Sequence, residues 1–234
     1  MNAAIIIAGG TGSRMHMDIP KQFINIYEKP VIIYTLEGFE RHPEIDAIAV
    51  VCLAGWEEIL EKYAAQYGIT KLKWIVPGGD SGQESIRNGV YRLEGELARE
   101  DIAIIHDGIR PMVDSSVLSD VIRVCAKYGN GVTATPFTEQ IFRAEDEVST
   151  RAYIPRDEVR KVATPQAYQY GMLLDAYRRA FAEGIGIRGA AYTNTMMVDL
   201  GHRLYFAAGS DKNIKLTTKD DLELFKVYLK MEKD

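Results

Sequence analysis

Short β-branched runs recur along the chain at residues 3–8, 47–53, 72–76, 102–106, 132–135 and 204–207. Several are apolar on successive residues rather than on every second one, the pattern of strands covered on both faces. Between them lie stretches with helical spacing at 31–41, 56–67, 84–97, 116–128, 170–183 and 218–232. Pro30 suits a first helical turn, and Leu118, Val121, Cys125 and Tyr128 form one helical stripe. "TKDD" before Leu222, Phe225 and Leu229 reads as a capping-box start. Strand–helix alternation predicts an α/β fold: one Rossmann-like domain over 1–234, with a mainly parallel twisted sheet flanked by helices. In such sheets ligands gather at the carboxyl ends of the strands.

One segment breaks the alternation. Residues 135–168 are polar, hold three prolines and offer only brief strand-like pieces. The reading is an inserted β-arm at 136–162, lying on a second subunit.

Charge and composition exclude several classes of partner. The net charge of −5 gives no basic field for nucleic acid. Four scattered histidines have no zinc-ligand spacing. Cys52 and Cys125 sit in apolar surroundings and are expected as buried thiols. The apolar start "AAIIIA" is short and lacks a basic flank, so the expectation is a cytoplasmic protein that engages no membrane.

The stretch "IIIAGGTGSRMHMDIPKQF" (5–23) joins the first strand to three glycines, an arginine and a lysine. A dinucleotide fingerprint from Gly10 requires glycine where Met15 stands, and no Gly-Lys-Ser/Thr follows for a Walker loop. The physical logic of anion binding remains. Gly9, Gly10 and Gly12 lack side chains, so their amides can close around phosphate oxygens without steric cost, with Ala8 and Thr11 as further binding positions of the same loop. Arg14 adds a planar fork of donors and Lys21 a compact charge.

"AGGTGSRM" with "PKQF" resembles the opening of the cytidylyltransferases that activate sugar-alcohol phosphates, a family acting on 2-C-methyl-D-erythritol 4-phosphate or ribitol 5-phosphate. "GGDSGQES", "HDGIRP", "ATPQAY" and "NIKLTTKDDL" follow in the family's order. The resemblance implies that CTP and a polyol phosphate combine to give a CDP-polyol and pyrophosphate, with Mg²⁺ or another divalent cation assisting. It implies Arg14, Lys21 and Lys215 as catalytic cations. Gly79, Asp80 and Ser85 would surround the cytosine, although Asp80 and Ser85 also read as helix caps. Asp107 would hold the metal, with turn formation as its structural alternative. Arg110 would lie near the polyol phosphate or in an ion pair within its turn. Arg156 and Thr193 would contact the second substrate. In this family the arm residue reaches the neighbouring subunit's site, so a homodimer is expected.

The chain departs from the family's usual pattern at Gly82, an arginine position, and at Asn194-Thr195 and Glu139-Gln140, usually Asp-Asp/Ala and Asp-Thr. Two other readings stand beside this one. A sugar-1-phosphate nucleotidylyltransferase using another nucleoside triphosphate has a similar glycine-rich opening, and a non-catalytic nucleotide-binding module would bind without turnover.

Overall fold

A computed structural model of the chain describes residues 1–10, 19–189 and 192–231. Its strands are β1 (Asn2–Ala8), β2 (Asn25–Ile26), β3 (Lys29–Pro30), β4 (Ala47–Cys52), β5 (Leu72–Pro77), β6 (Ile102–Asp107), β7 (Asn130–Pro136), β8 (Ile141–Arg143), β9 (Ala152–Ile154), β10 (Arg160–Gln169) and β11 (Phe206–Ala208). Its helices are α1 (Val31–Arg41), α2 (Glu57–Gln66), α3 (Gly82–Arg92), α4 (Ser115–Tyr128), α5 (Tyr170–Glu183), α6 (Thr193–Asp199) and α7 (Lys219–Met231).

Seven strands form the central sheet in the order β11-β7-β10-β6-β1-β4-β5. All pairings are parallel except those of β10, which runs antiparallel to both β6 and β7. Alternate residues of β1 serve opposite faces, as the pleat requires. Ala4, Ile6 and Ala8 pack with Ile32, Leu36 and Phe39 of α1, Leu60 of α2 and Leu118, Val121 and Cys125 of α4. Ala3 and Ile5 pack with Val90 of α3, Leu173 and Tyr177 of α5 and Met196 of α6. A third cluster fixes α7: Leu222 and Phe225 bury against Ile24, Val31, Ile109 and Leu216. The sequence expectation of a mostly parallel sheet flanked by helices is met.

The differences have physical causes. β10 lies at the end of the stretch read as polar. Its ten residues are exposed at Arg160–Val162 and buried at Gln166–Tyr168, so the apolar pattern covers only the half that enters the sheet. Tyr128 leaves the stripe of α4 and stacks on Tyr205, with centroids 4.3 Å apart and planes 6° from parallel. The helix expected at 84–97 starts at Gly82, because Ser81 caps it. Ser81 Oγ accepts from the Glu84 amide, and the Glu84 carboxylate accepts from the Ser81 amide. The expected capping box on α7 is present, with Thr218 Oγ1 accepting from the Asp221 amide and Asp221 accepting in return. Cys52 and Cys125 are buried free thiols, as expected, and burial pushes both up to about 12.

No helix among the described residues is long and apolar enough to cross a membrane. Between β7 and β10 the chain forms a separate hairpin, β8 paired antiparallel with β9. Loss of the reciprocal cap in Ser81→Ala is expected to lower stability by about 1 kcal/mol, read as a lower urea midpoint with unchanged slope.

Candidate active site

The strand order reverses at the β1/β6 pair. β1 is followed outward by β4 and β5, while β6 lies on its other side. Connections diverge there and leave a crevice at the carboxyl ends of the strands. The crevice is a cleft of about 570 Å³, within the range of nucleotide-sized ligands. Ile7 and Ala8 end β1 and Gly9 and Gly10 follow it, Leu53 follows β4, Gly79 to Gly82 follow β5, Asp107 ends β6 and Ile109 follows it; all line the cleft. Thr164 and Gln166 of β10, Tyr192 and Thr193 at the start of α6, and Lys21, Gln22 and Lys215 complete it.

The glycine turn is held from behind. Gln22 is buried in a single 3-10 turn, Lys21–Phe23, and its Nε2 donates to the carbonyls of Ala8 (2.7 Å) and Gly10 (3.0 Å). With both carbonyls turned toward Gln22, the lysine beside it stands at the cleft. Thr11, Gly12 and Arg14 lie outside the described residues.

At the opposite wall, Gly79 passes close to α3. A Cβ there would lie 2.4 Å from Glu84 Cβ, so only glycine fits without displacing the helix. Ser85 Oγ is turned back to accept from the Gly79 amide at 3.0 Å. Neither Ser85 nor Asp80 caps α3; Ser81 does. Asp80 is exposed at the rim. Around Gly82 nothing lies within 4 Å of where a Cβ would stand, so the position has room for the longer side chain usual in the family.

The floor is an ion cluster. Asp107 ends β6, and its Oδ2 accepts from Arg110 Nε at 2.9 Å while Oδ1 accepts from Lys215 Nζ at 3.1 Å. Thr164 Oγ1 accepts from the Asp107 amide at 3.1 Å. Burial pushes the Asp107 carboxyl up, but Lys215 and Arg110 outweigh it and hold the group below its ordinary value. Arg110 thus forms the ion pair within its turn, and its Nη1 reaches the Asn213 carbonyl at 2.7 Å. The guanidinium borders a smaller pocket of about 280 Å³ with Lys161 and Asn213, which shares Lys215 with the main cleft. His106 is buried beneath, with Nε2 3.0 Å from the Arg110 carbonyl, and burial holds its pKa down at about 4. The ring is therefore neutral, and Nε2 donates.

The cleft brings together Ala8, Gly9, Gly10, Lys21, Gly79, Asp80, Ser85, Asp107, Thr193 and Lys215 among the residues singled out from sequence. Arg156 is elsewhere: it sits on the arm, with Nη1 donating to the Thr138 carbonyl at 2.9 Å, beside Phe142 and Tyr153. Gln22, Thr164 and Ser81 carry structural duties that sequence reading did not assign. The quoted motifs "PKQF", "ATPQAY" and "GGDSGQES" contain them, but nothing in the spacing tells a buried amide that pins a loop from one that meets a ligand.

Comparison with known proteins agrees with this fold. The family model "IspD: 2-C-methyl-D-erythritol 4-phosphate cytidylyltransferase" matches residues 2–231. A ribitol-5-phosphate cytidylyltransferase of Lacticaseibacillus paracasei is 58% identical, covering 98% of this chain and 98% of that protein. A 2-C-methyl-D-erythritol 4-phosphate cytidylyltransferase of Clostridium acetobutylicum is 37% identical, again with 98% of each chain covered. A crystal structure of 4-diphosphocytidyl-2C-methyl-D-erythritol synthase superposes with a TM-score of 0.79 at 26% identity, over 97% of this chain and 98% of that one.

Gln22→Ala would leave the Ala8 and Gly10 carbonyls without their shared donor. The expected loss is about 1–3 kcal/mol of stability, measured by denaturant unfolding of the ligand-free protein.

Proposed function

The chain belongs to the 2-C-methyl-D-erythritol 4-phosphate cytidylyltransferase family of nucleotidyltransferases, and from that premise we propose that it joins CTP to ribitol 5-phosphate, releasing pyrophosphate. The observation that carries the reading is the convergence in one cleft of a pinned glycine turn, Lys21 and the Asp107–Lys215 pair. The 58% identity to a ribitol-5-phosphate cytidylyltransferase supports ribitol 5-phosphate as the polyol.

In this reading an oxygen of the polyol phosphate attacks the α-phosphorus of CTP in line. A new phosphorus–oxygen bond forms, the bond to the β-phosphate bridge breaks, and pyrophosphate leaves with that electron pair. The nucleophile is already an anion, so no side chain has to take its proton. The obstacle is repulsion between two polyanions, and cations placed beforehand lower it. Lys21 serves the α-phosphate, and Arg14, outside the described residues, is assigned the same task from the sequence motif alone. Lys215 spends one donor on Asp107 and has two more for phosphate oxygens. Gly79, Asp80 and Ser85 border the cytosine, while Arg110 and Thr193 serve the polyol phosphate.

Asp80 and Asp107 are the carboxylates lining the cleft among the described residues, and no group of three or more His, Cys, Asp or Glu residues suited to a metal is found there. One carboxylate together with substrate phosphates is the donor set Mg²⁺ ordinarily takes, and Asp107 fits it. Mg²⁺ held there would neutralise charge on the triphosphate.

The arm supports a homodimer in which Arg156 reaches the partner's polyol site: Phe142 and Tyr153 are 56% and 70% exposed on it. The whole of 1–234 acts as one catalytic domain, with 136–162 as the dimer arm. Its place of work is the cytoplasm, where CTP is made.

Pyrophosphate release decides the reading. The protein is incubated with Mg²⁺, each nucleoside triphosphate in turn, and ribitol 5-phosphate, methylerythritol 4-phosphate, a glycerol phosphate or a sugar 1-phosphate. Release is expected with CTP and ribitol 5-phosphate; release only with a sugar 1-phosphate, or none at all, defeats it. Lys21→Ala should cut turnover roughly a hundredfold or more while leaving the fold intact. Arg156→Ala should raise KM for the polyol phosphate much more than KM for CTP, and equal losses would remove it from the second-substrate pocket.

A further inference from the structure

The short turn that presents Lys21 cannot hold itself. Its backbone is closed by the Phe23 amide donating to the Pro20 carbonyl at 2.8 Å and the Ile24 amide to the Lys21 carbonyl at 3.3 Å. A piece of 3-10 structure this brief takes its orientation from what it packs against. Gln22 supplies one anchor, on the carbonyls of the glycine turn. A single anchor leaves the turn free to swivel about it. The second anchor is Phe23, whose buried ring stacks on Trp56 with centroids 4.6 Å apart and planes 25° from parallel.

Trp56 stands where a helix ordinarily keeps a different kind of residue. It occupies the cap position of α2 and makes no side-chain capping bond, although Ser, Thr, Asp and Asn are preferred there. A residue that forgoes a local preference marks a gain made elsewhere, and here the gain is the flat face offered to Phe23. Its own backbone is fixed on both sides. The Trp56 amide donates to the Leu53 carbonyl at 3.1 Å, and the Trp56 carbonyl accepts from the Leu60 amide at 3.0 Å. Leu53 lines the cleft, so the indole is tied to the wall after β4 as well as to α2.

A lysine depends on such support. Its ammonium rides on a flexible four-carbon stem, and a cation stabilises a transition state best when it is aimed before the reaction begins. The root of that stem is set by the turn, and the turn by its two anchors. We propose that Trp56 is a positioning residue for the transfer reaction, acting through the Phe23 ring to hold the turn that aims Lys21 into the cleft. The proposal rests on the role given to Lys21 above and extends it to a side chain that does not itself line the cleft.

The test is a double-mutant cycle on the full chain. Pyrophosphate release from CTP and ribitol 5-phosphate is followed at steady state, with each variant assayed well below its unfolding midpoint. Trp56→Leu keeps apolar bulk and removes the flat ring. It should lower kcat by on the order of tenfold while both KM values stay within about threefold, and Trp56→Phe should recover most of the rate. In a Lys21→Ala background, Trp56→Leu should change kcat by less than about twofold, because the group it positions is gone. Phe23→Leu should reproduce this pattern, and it decides alone if Trp56→Leu does not fold. A stack that serves packing only would lower the unfolding midpoint and leave the kcat of the folded protein unchanged, and that result overturns the proposal. An equal loss in both backgrounds overturns it too, because the effect then does not pass through Lys21. A wild-type protein that turns over no polyol phosphate defeats the reaction and this assignment with it, whereas turnover with an additive cycle defeats the assignment alone.

Discussion

The Asp107 carboxylate holds three distant parts of the chain in one place. It receives Arg110 from its own turn and Lys215 from the loop before α7, and it sits against Thr164 of β10. Backbone bonds close the same junction: the Leu216 amide donates to the Ile109 carbonyl, and the Asn213 side chain donates to the Thr164 carbonyl. The side chain of Asp107 is about a fifth exposed, so its ion pairs are sheltered more than surface pairs are. Breaking a sheltered pair by removing one partner strands the remaining charges. Here it would leave a guanidinium and an ammonium facing each other at the floor of the cleft. The same carboxylate that keeps these cations in position also keeps them from repelling one another.

Around this floor the fold repeatedly turns structural groups away from the cleft so that others can face it. Gln22 takes up the carbonyls of the glycine turn, Ser85 satisfies the Gly79 amide, and Tyr177 links Gln83 to Thr193. Each is a buried polar group with its partner in place, as burial demands. Together they settle what the lining offers to a ligand before any ligand arrives, which is the condition for electrostatic catalysis without reorganisation.

Most of the scaffold could be read from the chain. β1, β4 and β6 are buried along nearly their whole length, so unbroken apolar runs announced them. β10 escaped because half of it is exposed and its entry carries Arg160 and Lys161. α6 escaped because seven residues show too little periodicity to register. Within the site, the charged residues of "PKQF", "HDGIRP" and "NIKLTT" were visible as chemistry and gather at the cleft, while Arg14 of "AGGTGSRM" lies outside the described residues. The polar residues that work from behind were not, because Gln22, Gln83 and Tyr177 act through partners remote in sequence. Tyr177 touches Gln83 across 94 positions, and no local pattern encodes such a contact.

The antiparallel course of β10 has one more effect. Arg160 pairs with Pro136 at the carboxyl end of β7, and β6 runs in the same sense as β7 because both oppose β10. The hairpin of β8 and β9 therefore springs from the rim on which the cleft opens. Residues added to or removed from its tip change what stands at that rim while the register of the sheet below is untouched. A lineage can thus reshape that rim by simple insertion and deletion, with the sheet beneath kept whole.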